Sequence, residues 1–126
     1  MKQIIKTSKA PAPIGPYNQA VLANGILFVS GQIAINPDTN ELVLSSLEEE
    51  THQVLKNVSA ILEEANLTFD NIVKTTIFLS DMGLFPKVNE IYGSYFTGEF
   101  PARETVAVAG LPKGVNVEIS VTAVKG

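Results

Sequence analysis

The chain has 126 residues, 45% hydrophobic and 17% charged, which is enough apolar material for a packed core and too much for a disordered segment. Nine Lys and Arg against thirteen Asp and Glu give a net charge of −4, which argues against a phosphate-neutralising nucleic-acid surface. The absence of cysteine, with a single histidine, excludes a disulfide framework, a thiolate metal site, a cysteine nucleophile and a His-rich zinc site.

The first residues, Met1 to Lys6, hold too short an apolar run for a signal peptide, and no later run nears the roughly 20 apolar residues of a membrane helix. The expectation is a cytoplasmic protein, one domain over residues 1–126, with no membrane partner. Residues 8–16 carry three of the seven prolines and read as an extended loop leading into Tyr17. Asn18 to Ala23, the Asn24-Gly25 pair and Ile26 to Ile35 form a predicted β-hairpin, because Asn-Gly suits both positive-φ positions of a type I′ turn. Asn36 to Asn40 is a turn.

Ser46 followed by Glu49 has the spacing of a capping box and opens a predicted helix to about Asn66. Its apolar stripe is Leu47, Val54, Leu55, Val58, Ile61, Leu62 and Ala65. A β-branched strand follows over Ile72 to Leu79, and a second helix over Leu84 to Phe96, with Phe85, Val88, Ile91, Tyr92 and Tyr95 as its stripe. The chain closes with a strand over Glu104 to Ala109, the turn Leu111 to Gly114, and a strand over Val115 to Val124. This order predicts an α+β fold with two helices on one face of a sheet. Two helices cover one face only, so the mixed apolar and polar residues of the other face point to burial in an oligomer.

The final strand alternates strictly, Val117, Ile119, Val121 and Ala123 against Asn116, Glu118, Ser120 and Thr122. If the strand before it pairs across the Pro-Lys turn with Val106 and Val108 toward the helices, Arg103 and Thr105 share the open face with Glu118, Ser120 and Thr122. Arg103 is the sole arginine beside eight lysines. A planar fork there suits either a bidentate carboxylate ligand or an ion pair with Glu118, and the residues alone leave both open. Gly31, inside Ser30-Gly31-Gln32, reads as a bulge glycine or as a point of close backbone approach to a ligand. Tyr17 fits an anchored loop aromatic, and Asn89 either a helix-surface residue or a group aimed at a cleft. His52 lies off the apolar stripe and is expected in solvent. Glu48, Glu49 and Glu50 complement the helix dipole and make poor metal ligands. Asn57-Val58-Ser59 and Asn66-Leu67-Thr68 match the glycosylation pattern but touch a helix and are set aside.

Five segments recur together here: Ala12-Pro13-Ile14-Gly15-Pro16-Tyr17, Ser30-Gly31-Gln32, Val88-Asn89-Glu90-Ile91-Tyr92, Pro101-Ala102-Arg103, and Leu111-Pro112-Lys113 with Val117-Glu118-Ile119. In their order and spacing the chain resembles the YjgF/Rid family of reactive-intermediate deaminases over nearly its whole length. The resemblance implies a chorismate-mutase-like fold, a homotrimer with a central barrel, and ligand clefts between subunits. It implies hydrolysis of 2-iminobutanoate and 2-iminopropanoate, products of pyridoxal-phosphate enzymes, to 2-oxo acids and ammonia, with no metal or organic cofactor.

In that reading Arg103 binds the substrate carboxylate, helped by the Thr105 N–H, and the Ser30-Gly31 backbone approaches the imine nitrogen. Glu118 holds the attacking water, Tyr17 forms a wall and Asn89 a polar support. Three departures from the family pattern stand near the cleft: Glu104 where a small hydroxyl residue is frequent, Thr105 in place of cysteine, and Ser120 in place of an acid. The loop before Pro101 also looks short. The rival is a non-catalytic module that binds 2-oxo acids in the same cleft; a sensor needs the arginine but not a water-holding carboxylate. A ribonuclease or translation-inhibitor reading is opposed by the acidic charge and the lack of a histidine pair.

Overall fold

The computed structural model describes all residues, Met1–Gly126. Its strands are β1 (Gln3–Ile5), β2 (Ala20–Ala23), β3 (Ile26–Gln32), β4 (Ile35–Asn36), β5 (Glu41–Leu42), β6 (Ile72–Leu79), β7 (Ala102–Ala107) and β8 (Val117–Val124). The helices are α1 (Leu47–Glu64) and α2 (Phe85–Gly93). Six strands form one sheet in the order β1-β2-β3-β8-β6-β7, while β4 and β5 make a separate small hairpin. Only β6 and β7 run parallel, so the sheet is mixed.

Local sequence explains most of these boundaries. Asn24 and Gly25 both adopt positive φ, 51° and 76°, and join β2 to β3 in the twist a hairpin requires. The predicted second hairpin strand ends early, at Gln32. The carbonyls of Ile33 and Ile35 accept from the buried Asn57 side chain at 3.0 Å each, so a helix side chain, not β8, takes these two groups, and the chain turns into the β4–β5 hairpin. Ser46 caps α1 by accepting from the Glu49 N–H at 3.0 Å, but the Glu49 carboxylate accepts from the hydroxyls of Ser45 at 2.6 Å and Ser46 at 3.5 Å instead of from the Ser46 N–H. Val54, Leu55, Val58, Ile61 and Leu62 are fully buried along α1, facing Leu27, Ile77, Leu79, Val117, Ile119 and Ala123 of the sheet. Helix α2 stops at Gly93, short of the predicted Phe96; Tyr95 and Phe96 then bond back three residues, to Tyr92 and Gly93, in a tighter turn.

One strand pairing differs from the sequence expectation, and it reorients the molecule. β7 does not pair with β8. β8 lies between β3 and β6, and β7 pairs in parallel with the outer side of β6, with Arg103 beside Thr75 and Thr105 beside Ile77. Because paired residues in parallel strands point the same way, Arg103 and Thr105 lie on the helix face with buried Thr75 and Ile77. Glu118, Ser120 and Thr122 face the other side, with Phe78, Thr76 and Lys74. The segment after β7 is not a tight hairpin but a connection that steps over β6, with Lys113 and Gly114 at φ 56° and 68°. The sense of β7 is therefore inverted, and Val106, expected toward the core, is on the open face and 42% exposed.

The other face has no helix. Ile4, Val21, Phe28, Thr122 and Lys74 run across it in one row, and Phe28 is 50% exposed. No helix is long and apolar enough to cross a membrane. Histidine 52, expected in solvent, has its Nδ1 2.7 Å from the Tyr95 hydroxyl.

The proline-rich segment is held by one buried side chain. The Gln19 Oε1 accepts from the Thr7 N–H at 2.7 Å, and its Nε2 donates to the carbonyls of Thr7, Ala10 and Pro11. A Gln19→Leu variant strands those backbone groups and is expected to lose about 1–3 kcal/mol in denaturant unfolding. It also becomes cleavable within residues 8–16 in limited proteolysis. Full protease resistance in the variant would show that other contacts hold the loop.

Candidate functional site

The expected site residues fall into two groups on opposite sides of the sheet. On the open side, a cleft of ≈ 400 Å³ lies between the proline-rich loop, the end of β3 and β8; Pro11, Ile14, Tyr17, Gly31, Ile33 and Glu118 are among its lining residues. The loop is shaped by a tight turn at Gly15–Tyr17, in which the Tyr17 N–H donates to the Gly15 carbonyl at 2.8 Å. Ser30 is fixed at both ends, its hydroxyl donating to the Asn18 carbonyl at 2.6 Å and its N–H to the Gln19 carbonyl at 2.9 Å.

The β3–β8 register shifts between Val29 and Gln32, so Gly31 sits in a bulge. That bulge brings the Gly31 backbone against Glu118: a Cβ there would collide with the carboxylate, lying 2.8 Å from Cδ and closer still to Oε2. Gly31 is thus a bulge glycine, and the group its backbone approaches within the chain is the Glu118 carboxylate. Burial alone raises the Glu118 carboxyl pKa above the ordinary glutamate value of 4.5. In this chain its charge is desolvated without compensation.

On the helix side, Phe85, Asn89 and Tyr92 fall at i, i+4 and i+7 and form one stripe of α2. The Arg103 guanidinium lies on that stripe, its carbon 5.4 Å from the Phe85 ring centre and 5.3 Å from that of Tyr92. Its Nη1 donates to the Asn89 Oδ1 at 2.7 Å. The Tyr92 hydroxyl donates to Thr75 Oγ1 at 2.8 Å, and burial raises the phenol's pKa despite that bond and the nearby guanidinium. Asn89, Tyr92, Gly93, Phe100, Pro101 and Arg103 line a second cleft of ≈ 410 Å³.

The alternative use of Arg103, an ion pair with Glu118, does not occur within the chain. The two acid–base pairs are Lys74 with Glu104 at 3.5 Å and Lys87 with Glu90 at 3.9 Å. Glu104 also accepts from Thr76 Oγ1 on the open face, so this departure from the family pattern points away from the arginine. Thr105, on the arginine's face, has a buried hydroxyl without a hydrogen-bond partner. The Val108 N–H donates inward to the Leu79 carbonyl at 2.9 Å. By the two-residue period of the strand, the N–H groups of Arg103 and Thr105 then point off the free edge of β7. No three His, Asp or Glu side chains converge into a metal cage.

The sequence offered Asn89 as a polar support without naming its partner, and Phe85 and Tyr92 as part of an apolar stripe. Their i, i+4, i+7 spacing was the available signal. It becomes informative only once β7 is known to face α2.

Two helices on one face of a mixed six-stranded sheet, with separate clefts at a β3 bulge and at an edge-strand arginine, define the YjgF-type α+β class. The family described as Endoribonuclease L-PSP matches residues 7–125, and the chain belongs to this YjgF/Rid family. A mouse protein named 2-iminobutanoate/2-iminopropanoate deaminase is 48% identical over 100% of this chain and 93% of its own. A RutC family protein of Aquifex aeolicus is 54% identical over 96% of this chain and 98% of its own. The crystal structure of E. coli TdcF with bound serine superposes with a TM-score of 0.94 at 38% identity, covering 98% of this chain and 99% of that one.

Replacing Gly31 by alanine must push the Glu118 carboxylate out of its place without touching the α2 stripe. Gly31→Ala is expected to leave the fold unchanged by circular dichroism and to move the Glu118 carboxyl resonance in an NMR pH titration. An unmoved resonance would mean that the bulge yields instead of the carboxylate.

Proposed function

We propose that the protein hydrolyses 2-iminobutanoate and 2-iminopropanoate to the corresponding 2-oxo acids and ammonia, in clefts between the subunits of a homotrimer. The observation that carries this reading is the separation of a guanidinium without an acid partner and a desolvated carboxylate onto opposite faces of one sheet. Each group is half of a hydrolytic site, and a second copy supplies the other half when the edge of one sheet meets the open face of the next.

The chemistry follows from the parts. Arg103 keeps the donors not used by Asn89 for a substrate carboxylate, and the outward Thr105 N–H and its orphan hydroxyl stand beside it. The imine carbon then faces the cleft of Glu118, Gly31, Ser30 and Tyr17. Glu118 takes a proton from water as the oxygen attacks that carbon, giving a carbinolamine. It returns the proton to the nitrogen, the hydroxyl collapses to a carbonyl, and ammonia leaves, carrying the released proton as ammonium. An iminium carbon is already electrophilic, so orientation and one activated water supply the catalysis.

TdcF with bound serine supports a second reading, in which the cleft of this chain holds small amino or oxo acids without turning them over. Glu118→Gln separates the two. It keeps 2-oxobutanoate binding and loses on the order of 10²–10⁴ in kcat if Glu118 is the base; if the protein only binds, wild type and variant bind alike and neither accelerates the hydrolysis.

The rate is measured on 2-iminobutanoate generated by a threonine dehydratase. Arg103→Ala is expected to lower kcat/KM by on the order of 10²–10³, the loss of two charge-assisted hydrogen bonds. Mixing unfolded Arg103→Ala and Glu118→Gln chains one to one and refolding them should recover about a quarter of the wild-type rate, because each mixed ring regains one intact site. Zero recovery would place both groups of a site in the same chain.

Only the ionised Glu118 accepts the proton, so kcat/KM falls on acidification through a pH above 4.5, and Glu118→Gln abolishes that limb. For stability the sign is opposite. Burial favours the neutral acid, so the contribution of Glu118 is present below the ordinary glutamate range and lost as pH rises through its raised value. At pH 7 Glu118→Gln is therefore at least as stable as wild type in thermal unfolding.

A further inference from the structure

Glu50 is a fully buried acid in the first turn of α1. Sequence reasoning gives it a helix-dipole role, shared with Glu48 and Glu49. In the structure its carboxylate points instead into the entrance of β8. Oε2 accepts from the Asn116 N–H at 2.8 Å and the Val117 N–H at 3.1 Å, and Oε1 from the Asn116 Nδ2 at 2.9 Å. Asn116 passes the connection on: its Oδ1 accepts from the Ser80 hydroxyl at 3.1 Å and its carbonyl from the Ser80 N–H at 3.0 Å. One carboxylate thus ties the start of α1, the start of β8 and the end of β6. No lysine, arginine or histidine pairs with it, so these neutral donors are its only partners.

The tied residues immediately precede Glu118. Val117 pairs with Leu79 and Glu118 with Phe78 at this same end of the β6–β8 ladder. On its other side Glu118 abuts the bulge at Gly31, where the β3–β8 pairing is interrupted and gives the strand less support. We infer that Glu50 is a positioning residue for the reaction: it fixes the entry of β8 so that the Glu118 carboxylate is held against the Gly31 backbone. This inference rests on the proposed hydrolysis. It adds that the placement of the base is set by a second, buried carboxylate on a helix that touches no substrate.

The test compares Glu50→Gln, Glu50→Asp and Glu50→Ala in the full chain, reading kcat on enzymatically generated 2-iminobutanoate, the Kd of 2-oxobutanoate, and the thermal midpoint. Glutamine keeps an oxygen for the two backbone donors, and a flip of the Asn116 amide satisfies the rest. It should hold kcat within about twofold of wild type, the scale of one weak hydrogen bond. Aspartate keeps the charge but is one methylene too short to reach all three donors. Aspartate and alanine are each expected to lower kcat by on the order of tenfold or more, as a displaced base does, while the Kd of 2-oxobutanoate, set at Arg103, stays within about twofold.

A purely structural role predicts a different pattern, a lowered thermal midpoint with wild-type kcat in the folded fraction, and that result overturns the inference. If Glu50→Ala does not fold, Glu50→Asp decides alone: wild-type kcat there overturns it equally. Wild-type protein is assayed first. Absence of hydrolysis by wild type fails the proposed function, whereas hydrolysis by wild type and undiminished kcat in Glu50→Asp fails only the role of Glu50.

Discussion

Two helices cannot cover both faces of a six-stranded sheet, and the organisation of this molecule follows from that limit. The covered face holds the core, with α1 seated on β3 and β8. The other face carries Ile4, Val21, Phe28, Phe78 and Val106 among threonines, a serine, a lysine and two glutamates, too apolar for plain solvent surface and too polar for a monomer core. Side chains of a strand alternate between these two environments, so every residue of a strand is assigned to one or the other by its position along it. Arg103 and Glu118 are assigned to different ones.

The arginine's surroundings explain why this position is not another lysine. A guanidinium is flat and weakly hydrated, and lies across aromatic rings while keeping donors in its plane. Phe85 and Tyr92 give it that surface and Asn89 takes one donor, so it is oriented without being neutralised by an acid. Tyr92 is itself anchored to Thr75 on β6. The edge position of β7 then matters for a second reason. An edge strand presents backbone donors that an inner strand would use in its ladder, and those of Arg103 and Thr105 face outward beside the guanidinium.

Two acids show how environment divides the work among identical side chains. Glu118 is desolvated and its proton affinity raised, the state suited to a group that takes and returns a proton. Glu50 is more deeply buried yet saturated by two backbone amides and a side-chain amide, the state suited to holding a strand in place. Glycine at position 31 is the third part of this arrangement, because any side chain there would occupy the space of the Glu118 carboxylate.

Local patterns were legible in the sequence because they depend on neighbouring residues. Asn24-Gly25 set the first hairpin, Ser46 and the stripe from Val54 to Ala65 set α1, and strict alternation set which residues of β8 are buried. The motifs from Ala12 to Ile119 sufficed for the family. What the chain alone left undecided was which strand lies beside β8. Period-two alternation tells which residues of a strand share a face, but not which face that is until its partner is known, and the partner of β7 is β6, reached through α2. The same dependence on distant contacts hid the burial of Glu50 against Asn116 and the pairing of His52 with Tyr95. Only the tertiary structure could decide these, because each contact joins residues more than 40 positions apart, beyond the reach of any local pattern.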